Sequence, residues 1–188
     1  MYEKNGIKLV FFNRKLINNQ SYMMKDSNYF TWFQDQEVTK YNSHGLLPEK
    51  NKDYNAFFDE IENSDSLIVF AIIDIKTNTH IGNISLQSID WINRSAEFAI
   101  VIGEKDFWGK GVASSAAEIL FYHAFSKLNL NRIWSGTAAT NLGMLGVFRK
   151  LNMCMEGVFR EAVYLRGKYE DVHEYGILRK EYYENKEK

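Results

Sequence analysis

Apolar and polar residues follow one another along this 188-residue chain in blocks that read as successive strands and helices. A first strand is expected over "IKLVFFNR" (7–14). In "SNYFTWFQDQEVTKY" (27–41), Ser27 is placed as an N-cap, and Phe30, Phe33 and Val38 fall near helical spacing. "LLPEKNKDYNAFFDEIENS" holds the single proline, Pro48, and predicts a loop, then a helix through Tyr54, Phe57, Phe58 and Ile61. "SLIVFAIIDI" (66–75) is continuously apolar, as a strand buried on both faces should be. The turn chemistry of "KTNT" leads into a second strand of this group, "HIGNISLQSID" (80–90), and "INRS" into a third, "AEFAIVIG" (96–103). A helix of about four turns is expected from Val112 to Leu128, with Val112, Ala116, Ile119, Leu120 and Leu128 on one stripe. "RIWSGTA" (132–138) reads as a strand and "NLGMLGVFRKLN" (141–152) as a short helix. "CMEGVFREAVYLRGKYEDVHEYGILRKEY" reads as two strands around a turn near Arg166 and Gly167, and the charged tail "ENKEK" is expected to fray. This order predicts a single domain, 1–188, of the α/β or α+β type: a mixed sheet with helices on both faces.

Composition adds constraints. Apolar residues make up 45% and charged residues 25%, the balance of an ordinary soluble globule. The formal net charge of -1 gives no bulk attraction for nucleic acid or an anionic membrane. No apolar run approaches the roughly 18 residues of a membrane span, and "MYEKNGIKLVFFNRK" has no long signal-type apolar stretch, so a cytoplasmic location is expected. One cysteine, Cys154, excludes an internal disulfide and a cysteine zinc cluster. His44, His80, His123 and His173 are scattered without metal-ligand spacing, so no metal is expected.

The stretch "EKDFWGKGVASSAAEIL" (104–120) carries the chemistry. Two glycines at a strand-to-helix junction cost backbone entropy and call for a reason. One reason is a tight turn. The other is an anion site: the amides of Gly109 to Ala113 precede any helical turn that could bond them, the helix dipole favours negative charge there, and Lys110 adds a cation. The spacing is neither that of a P-loop nor that of a dinucleotide fingerprint. In the preceding strand Ala96, Phe98, Ile100 and Ile102 form one face, and Glu97, Ala99 and Val101 the other. Glu97 is therefore a carboxylate in an apolar strand, either paired, with Arg94 the nearest candidate, or used as a base whose pKa burial raises.

These residues resemble the GNAT superfamily of acetyl-CoA-dependent N-acetyltransferases, in the branch with ribosomal-protein, polyamine and amino-sugar acetyltransferases. The family's pyrophosphate motif, Arg/Gln-x-x-Gly-x-Gly/Ala, is matched by "WGKGVA", with Gly111 and Ala113 as its small residues and Trp108 in the Arg/Gln position. Asn141 opens the next-to-last helix as in the family, and "HIGNISLQSIDWINRSAEFAIVIGEKDFWGKG" and "FYHAFSKLNLNRIW" are also similar. The resemblance implies a GNAT-like, mostly antiparallel central sheet flanked by helices and splayed between the "AEFAIVIG" and "RIWSGTA" strands. It implies that acetyl-CoA is the co-substrate. Its pantetheine arm would pair with backbone near Val101 and Ile102, its pyrophosphate would sit on Trp108, Gly109, Lys110, Gly111, Val112, Ala113 and Ser114, and Asn141 and Phe148 would complete the cofactor site. An amine then attacks the thioester directly, Glu97 takes the proton, and an amide of Val101 or Ile102 holds the oxyanion.

Two positions depart from the family pattern. Phe148 stands where a tyrosine usually protonates the leaving thiolate, and Asn152 and Met153 replace the usual Gly-Phe. General-acid help is worth roughly 10²–10⁴-fold, and a thiol of pKa about 8.5 leaves tolerably without it, so Phe148 implies a slower enzyme or another donor such as Tyr122 or Tyr164. The small-molecule amine acceptor is expected to be a nucleotide-linked amino sugar, because Tyr29, Phe30, Trp32, Phe33, Tyr41 and His44 offer stacking surface if they are not core. A protein α-amine or a polyamine is the alternative, the latter requiring an acidic pocket for which Asp35, Glu37, Glu60 and Glu62 are candidates. A non-catalytic acyl-CoA-binding module, motivated by Phe148, is the reading of another class, and a homodimer is compatible with all of them. Calorimetry should show tighter binding of acetyl-CoA than of NAD; equal or tighter binding of NAD would refute the resemblance.

Overall fold

The computed structural model describes residues 2–17, 27–42 and 54–186; His44, Pro48, Glu187 and Lys188 lie outside them. The strands are β1 (Glu3–Lys4), β2 (Ile7–Phe11), β3 (Ile68–Asp74), β4 (Thr79–Asp90), β5 (Ser95–Ile102), β6 (Arg132–Ala138), β7 (Cys154–Leu165) and β8 (Lys168–Leu178). The helices are α1 (Arg14–Ile17), α2 (Tyr29–Trp32), α3 (Tyr54–Asn63), α4 (Val112–Ser126), α5 (Leu142–Lys150) and α6 (Arg179–Glu184). The strands form one sheet in the order β1-β2-β3-β4-β5-β6-β8-β7. Every neighbouring pair is antiparallel except β5 and β6, which are parallel and joined by the crossover that contains α4.

Two apolar layers follow from the alternation of the strands. Phe70 and Ile72 of β3, Ile84 and Leu86 of β4, and Ala96 and Phe98 of β5 face one core, packed on Ala116, Leu120, Phe121 and Phe125 of α4. Ala71 and Ile73 face the other, with Phe12, Leu16, Tyr29, Trp32 and Phe58. The continuous apolar run in β3 thus means what it was expected to mean: burial on both faces. α4 runs two residues short of Leu128, and the β7–β8 hairpin turns at Arg166 and Gly167 as expected. The two-residue β1 and the one-and-a-half-turn α6 carry too little periodicity to be read from sequence.

The expected helix over 27–41 shrinks to Tyr29–Trp32. Asp35 explains the stop: its carboxylate accepts from the Glu37 amide at 2.8 Å, and its carbonyl accepts from the Thr39 hydroxyl at 2.9 Å, so local turns replace helical bonds. Nor is Ser27 the cap. Its hydroxyl lies 2.8 Å from His80 Nδ1 and accepts from the Tyr29 amide at 3.2 Å. His80 Nε2 faces the Gly82 carbonyl at 3.0 Å, so that nitrogen carries the proton and Nδ1 accepts from Ser27. The imidazole is surrounded by Phe12, Tyr29 and Trp32. Gly103 lets this layer approach the end of β5, since a Cβ there would overlap the Trp32 ring.

Burial lowers the His80 pKa from 6.5 to about 4. The folded state therefore holds His80 neutral while the unfolded chain binds a proton below about 6.5. The stability it contributes is complete above that pH and is lost as pH falls toward 4. Denaturant melts between pH 7 and 4 should show a falling midpoint, and His80→Gln should flatten that slope; an unchanged slope would place the acid sensitivity elsewhere.

Candidate active site

The parallel ladder between β5 and β6 holds only three residue pairs, Ser95–Arg132, Ala96–Ile133 and Glu97–Trp134. Both strands continue beyond it, β5 against β4 as far as Ile102 and β6 against β8 as far as Ala138, but they diverge from each other. The facing backbone edges of residues 98–102 and 135–138 are left without a strand partner. The result is a V-shaped cleft of about 990 Å³. Its closed end is pinned where the Arg94 carbonyl accepts from the amides of Asn131 (2.6 Å) and Arg132 (3.2 Å).

The N-terminus of α4 stands at the open end. Gly109 and Gly111 have φ of 70° and 78°, the left-handed region, which glycine enters without a Cβ penalty. Gly111 is the N-cap, and the first helical bond runs from the Ser115 amide to the Gly111 carbonyl at 3.0 Å. The amides of Val112, Ala113 and Ser114 therefore remain for a ligand. The Trp108 indole donates to the Ile102 carbonyl at 2.8 Å and ties the loop to the end of β5. That bond takes up one of the two acceptor positions of the Ile102 carbonyl.

Glu97, Val101, Ile102, Trp108, Gly109, Gly111, Val112, Ala113, Ser114 and Asn141 all line the cleft. Two expected residues do not. Lys110 is not among the cleft-wall residues; its ammonium sits 5.8 Å from the ring centroid of Phe107, which is. Phe148 is 0% exposed, packed between Phe98 and Tyr175 in the core, because the inner stripe of α5 faces the sheet. Asn141 does cap α5, accepting from the Met144 amide at 3.2 Å and donating to Thr137 Oγ1 at 2.9 Å, so its amide is committed to fixing that helix against β6. The cation that sequence reasoning missed is Lys150, at the end of α5: it lines the cleft, and its Nζ lies 3.8 Å from where a Cβ on Gly111 would be. It stands 39 residues from that glycine in the chain, and only the packing of α5 beside α4 brings the two together.

Glu97 lies at the closed end, on the face opposite α4. Burial raises its pKa above the ordinary carboxylate value, and the charge of Glu174 adds to the rise. Among the described residues no cation pairs with it, and Arg94 is exposed in the preceding turn, so the ion-pair reading fails. Arg132 is held instead in a two-pronged ion pair by Glu156, with Glu174 at 3.8 Å. The outer wall is a strap of residues 37–42: Lys105 reaches Asp35 and Glu37, each at 2.8 Å, and the Tyr41 hydroxyl donates to the Thr140 carbonyl at 2.9 Å. The other aromatics proposed as stacking surface are not free for that purpose: Tyr29 and Trp32 are core, with Phe30 and Phe33 packed on them. Tyr122 and Tyr164, the proposed substitute acids, are absent from the cleft wall. Among the described residues no group of three His, Cys, Asp or Glu side chains could hold a metal ion.

A family model described as an acetyltransferase (GNAT) domain matches residues 23–153. The N-acetyltransferase p20 of Bacillus licheniformis is 29% identical over 153 residues, covering 80% of this chain and 85% of that protein. The spermidine N(1)-acetyltransferase of Vibrio cholerae is 32% identical over 113 residues, covering 60% and 64%. The crystal structure of a Vibrio cholerae spermidine N-acetyltransferase in complex with CoA and spermine superposes with a TM-score of 0.80 at 22% identity, over 95% of this chain and 98% of that one. At that identity the superposition supports the fold alone.

The two lysines separate by experiment. Lys150→Ala should weaken acetyl-CoA binding about tenfold or more, roughly 1.4 kcal/mol, with a shallower salt dependence, while Lys110→Ala should stay within about twofold of the parent. Calorimetry at two ionic strengths measures both; equal losses would return the phosphate contact to Lys110.

Proposed function

This chain belongs to the acetyltransferase (GNAT) family and is an acetyl-CoA-dependent N-acetyltransferase; we propose that it acetylates a small cationic primary amine by direct attack on the thioester in a ternary complex, with Glu97 as general base. The observation that carries this reading is the unpaired Glu97 at the closed end of a cleft whose open end offers the free amides of α4 and the Lys150 ammonium. Phosphates at the open end place the arm of acetyl-CoA along the unpartnered edges of β5 and β6, and its thioester at the closed end near Glu97. The amine enters from the Glu97 face, loses its proton to the carboxylate and attacks the carbonyl carbon. A free amide on β5 beyond Glu97 is positioned to hold the oxyanion.

Charge selects the acceptor class. Glu37 and Glu97 line the cleft and Glu174 stands close enough to act on Glu97, whereas Arg132 is consumed by Glu156 and Glu174. An amine with more than one positive charge fits this surface. A nucleotide-linked amino sugar brings a diphosphate for which, among the described residues, the acceptor side of the cleft wall has only Lys40, and the aromatic surface that suggested it is largely core. Of the carboxylates considered for a polyamine, Glu37 alone lines the cleft; Asp35 is bound to Lys105, and Glu60 and Glu62 lie on the exposed side of α3 away from it. A panel of spermidine, a peptide α-amine and a nucleotide-linked amino sugar, followed by thiol release, tests the assignment; preference for the sugar nucleotide would overturn it.

Glu97→Gln should lower turnover far more than acetyl-CoA affinity. The parent's acidic limb should lie above the ordinary carboxylate pKa, since a raised pKa keeps the base protonated to higher pH. The deficit of the variant should shrink as pH rises and more amine is neutral unaided. Stability should move the other way. The ionised form is disfavoured in the fold, so Glu97→Gln should melt higher than the parent at neutral pH, and the gain should fade as pH falls through the range where Glu97 is protonated in both states. Parallel pH–rate profiles with similar plateaus would assign Glu97 a structural role.

A further inference from the structure

Three residues of β6, Ile133, Ser135 and Thr137, point toward α4 and α5. Ile133 is in the core, and the Thr137 hydroxyl accepts from Asn141. Ser135 is different. It is 3% exposed and lines the cleft, yet its hydroxyl makes no hydrogen bond among the described residues. The hydroxyl opens onto the cleft, where a bound molecule could accept from it.

The position of Ser135 decides what that molecule would present. It is the first β6 residue past the Glu97–Trp134 pair, where the two strands part. It lies on the face opposite Glu97, as the alternation of adjacent strands requires. Phe98 lines the cleft beside it, and Phe148, whose ring has no proton to donate, packs against Phe98 and against Tyr175, the β8 partner of Ser135. A thioester at the closed end of the cleft would thus meet a carboxylate on one face and an unpartnered hydroxyl on the other.

We propose that the Ser135 hydroxyl donates a hydrogen bond to the departing sulfur of CoA and so supplies the leaving-group stabilisation that Phe148 cannot. The inference rests on the thioester cleavage proposed above. The C–N bond forms, the tetrahedral intermediate collapses, and the C–S bond breaks with its electron pair on sulfur. Ser135 keeps its own proton and stabilises the thiolate through the hydrogen bond. The proton taken from the ammonium leaves on Glu97 to solvent, and the thiolate is released or protonated by water. A hydrogen bond to an ion in a partly desolvated cleft is stronger than the same bond in water.

Two measurements test this. The thiol of CoA bound to the unaltered protein, titrated by its thiolate absorbance, should ionise about one pH unit or more below the free value of about 8.5, and Ser135→Ala should move it back. That titration needs no acceptor, so its failure is separable from failure of the acceptor or Glu97 assignments. In steady state, Ser135→Ala should lower kcat about tenfold or more, with KM for acetyl-CoA within about twofold. The deficit should be constant with pH, unlike that of Glu97→Gln, because the hydroxyl does not titrate in the working range. An undisplaced thiol pKa on the unaltered protein would overturn the proposal. So would a raised KM with unchanged kcat, which would assign Ser135 to holding the pantetheine arm.

Discussion

The parting of β5 and β6 after three residue pairs is the constraint on which the rest of the molecule depends. Backbone N–H and C=O groups in a sheet interior normally pair, and leaving a run of them open costs free energy. Here the opening is enforced from both sides. β5 is tied to β4 along its length, β6 to β8 along its length, and α4 packs beneath the junction with Phe98, Phe121 and Phe148 in contact. The Arg94 carbonyl, gripping the amides that start β6, fixes the point of closure. Every candidate for chemistry is placed relative to that V: the α4 amides and Lys150 at its mouth, Glu97 and Ser135 at its closed end on opposite faces.

This arrangement divides the labour of recognition by distance along the strands. Positive charge is concentrated at the wide end, where a helix start and a lysine meet. The narrow end is acidic on one face and close to apolar on the other. In the proposed reading, a ligand that carries phosphate at one terminus and a reactive carbonyl at the other is favoured in one orientation, because reversing it would set phosphate against Glu97 and Glu174. Charge would then set the orientation before any contact specific to the reacting group is made.

Much of this was legible in the chain, for physical reasons. The three strands before α4, the helix itself and the β7–β8 hairpin follow from periodicity and turn residues, which are local signals. The glycines at 109 and 111 and the carboxylate at 97 violate the pattern around them, and violations of that kind mark sites. What stayed hidden was non-local. Lys150 is an ordinary helix-terminal lysine until α5 is laid beside α4. Ser135 is an ordinary small strand residue until β5 turns away from it. Lys110, adjacent to the motif, pointed to the phosphate by sequence proximity alone, yet its side chain lies by Phe107. The helix expected over 27–41 failed because a single aspartate, Asp35, offers the backbone better local bonds than the helix does.

The unpartnered edges lining the V have one more consequence, concerning association between molecules. Open strand edges are the features by which folded proteins template one another into aggregates, and sheets usually protect their outer margins with short strands, charges or bulges. At one outer margin β1 is two residues long and Lys4 is paired with Glu118; at the other, β7 is bulged. The inner edges have no such protection and need none. They face each other across a wedge closed at one end by Arg94 and β6 and walled on the outside by the strap that Tyr41 fastens to Thr140. The recess that hinders a foreign strand leaves a thin, flexible chain room to enter, so the same geometry shields these edges from strand pairing between molecules and leaves them open to a ligand of the proposed kind.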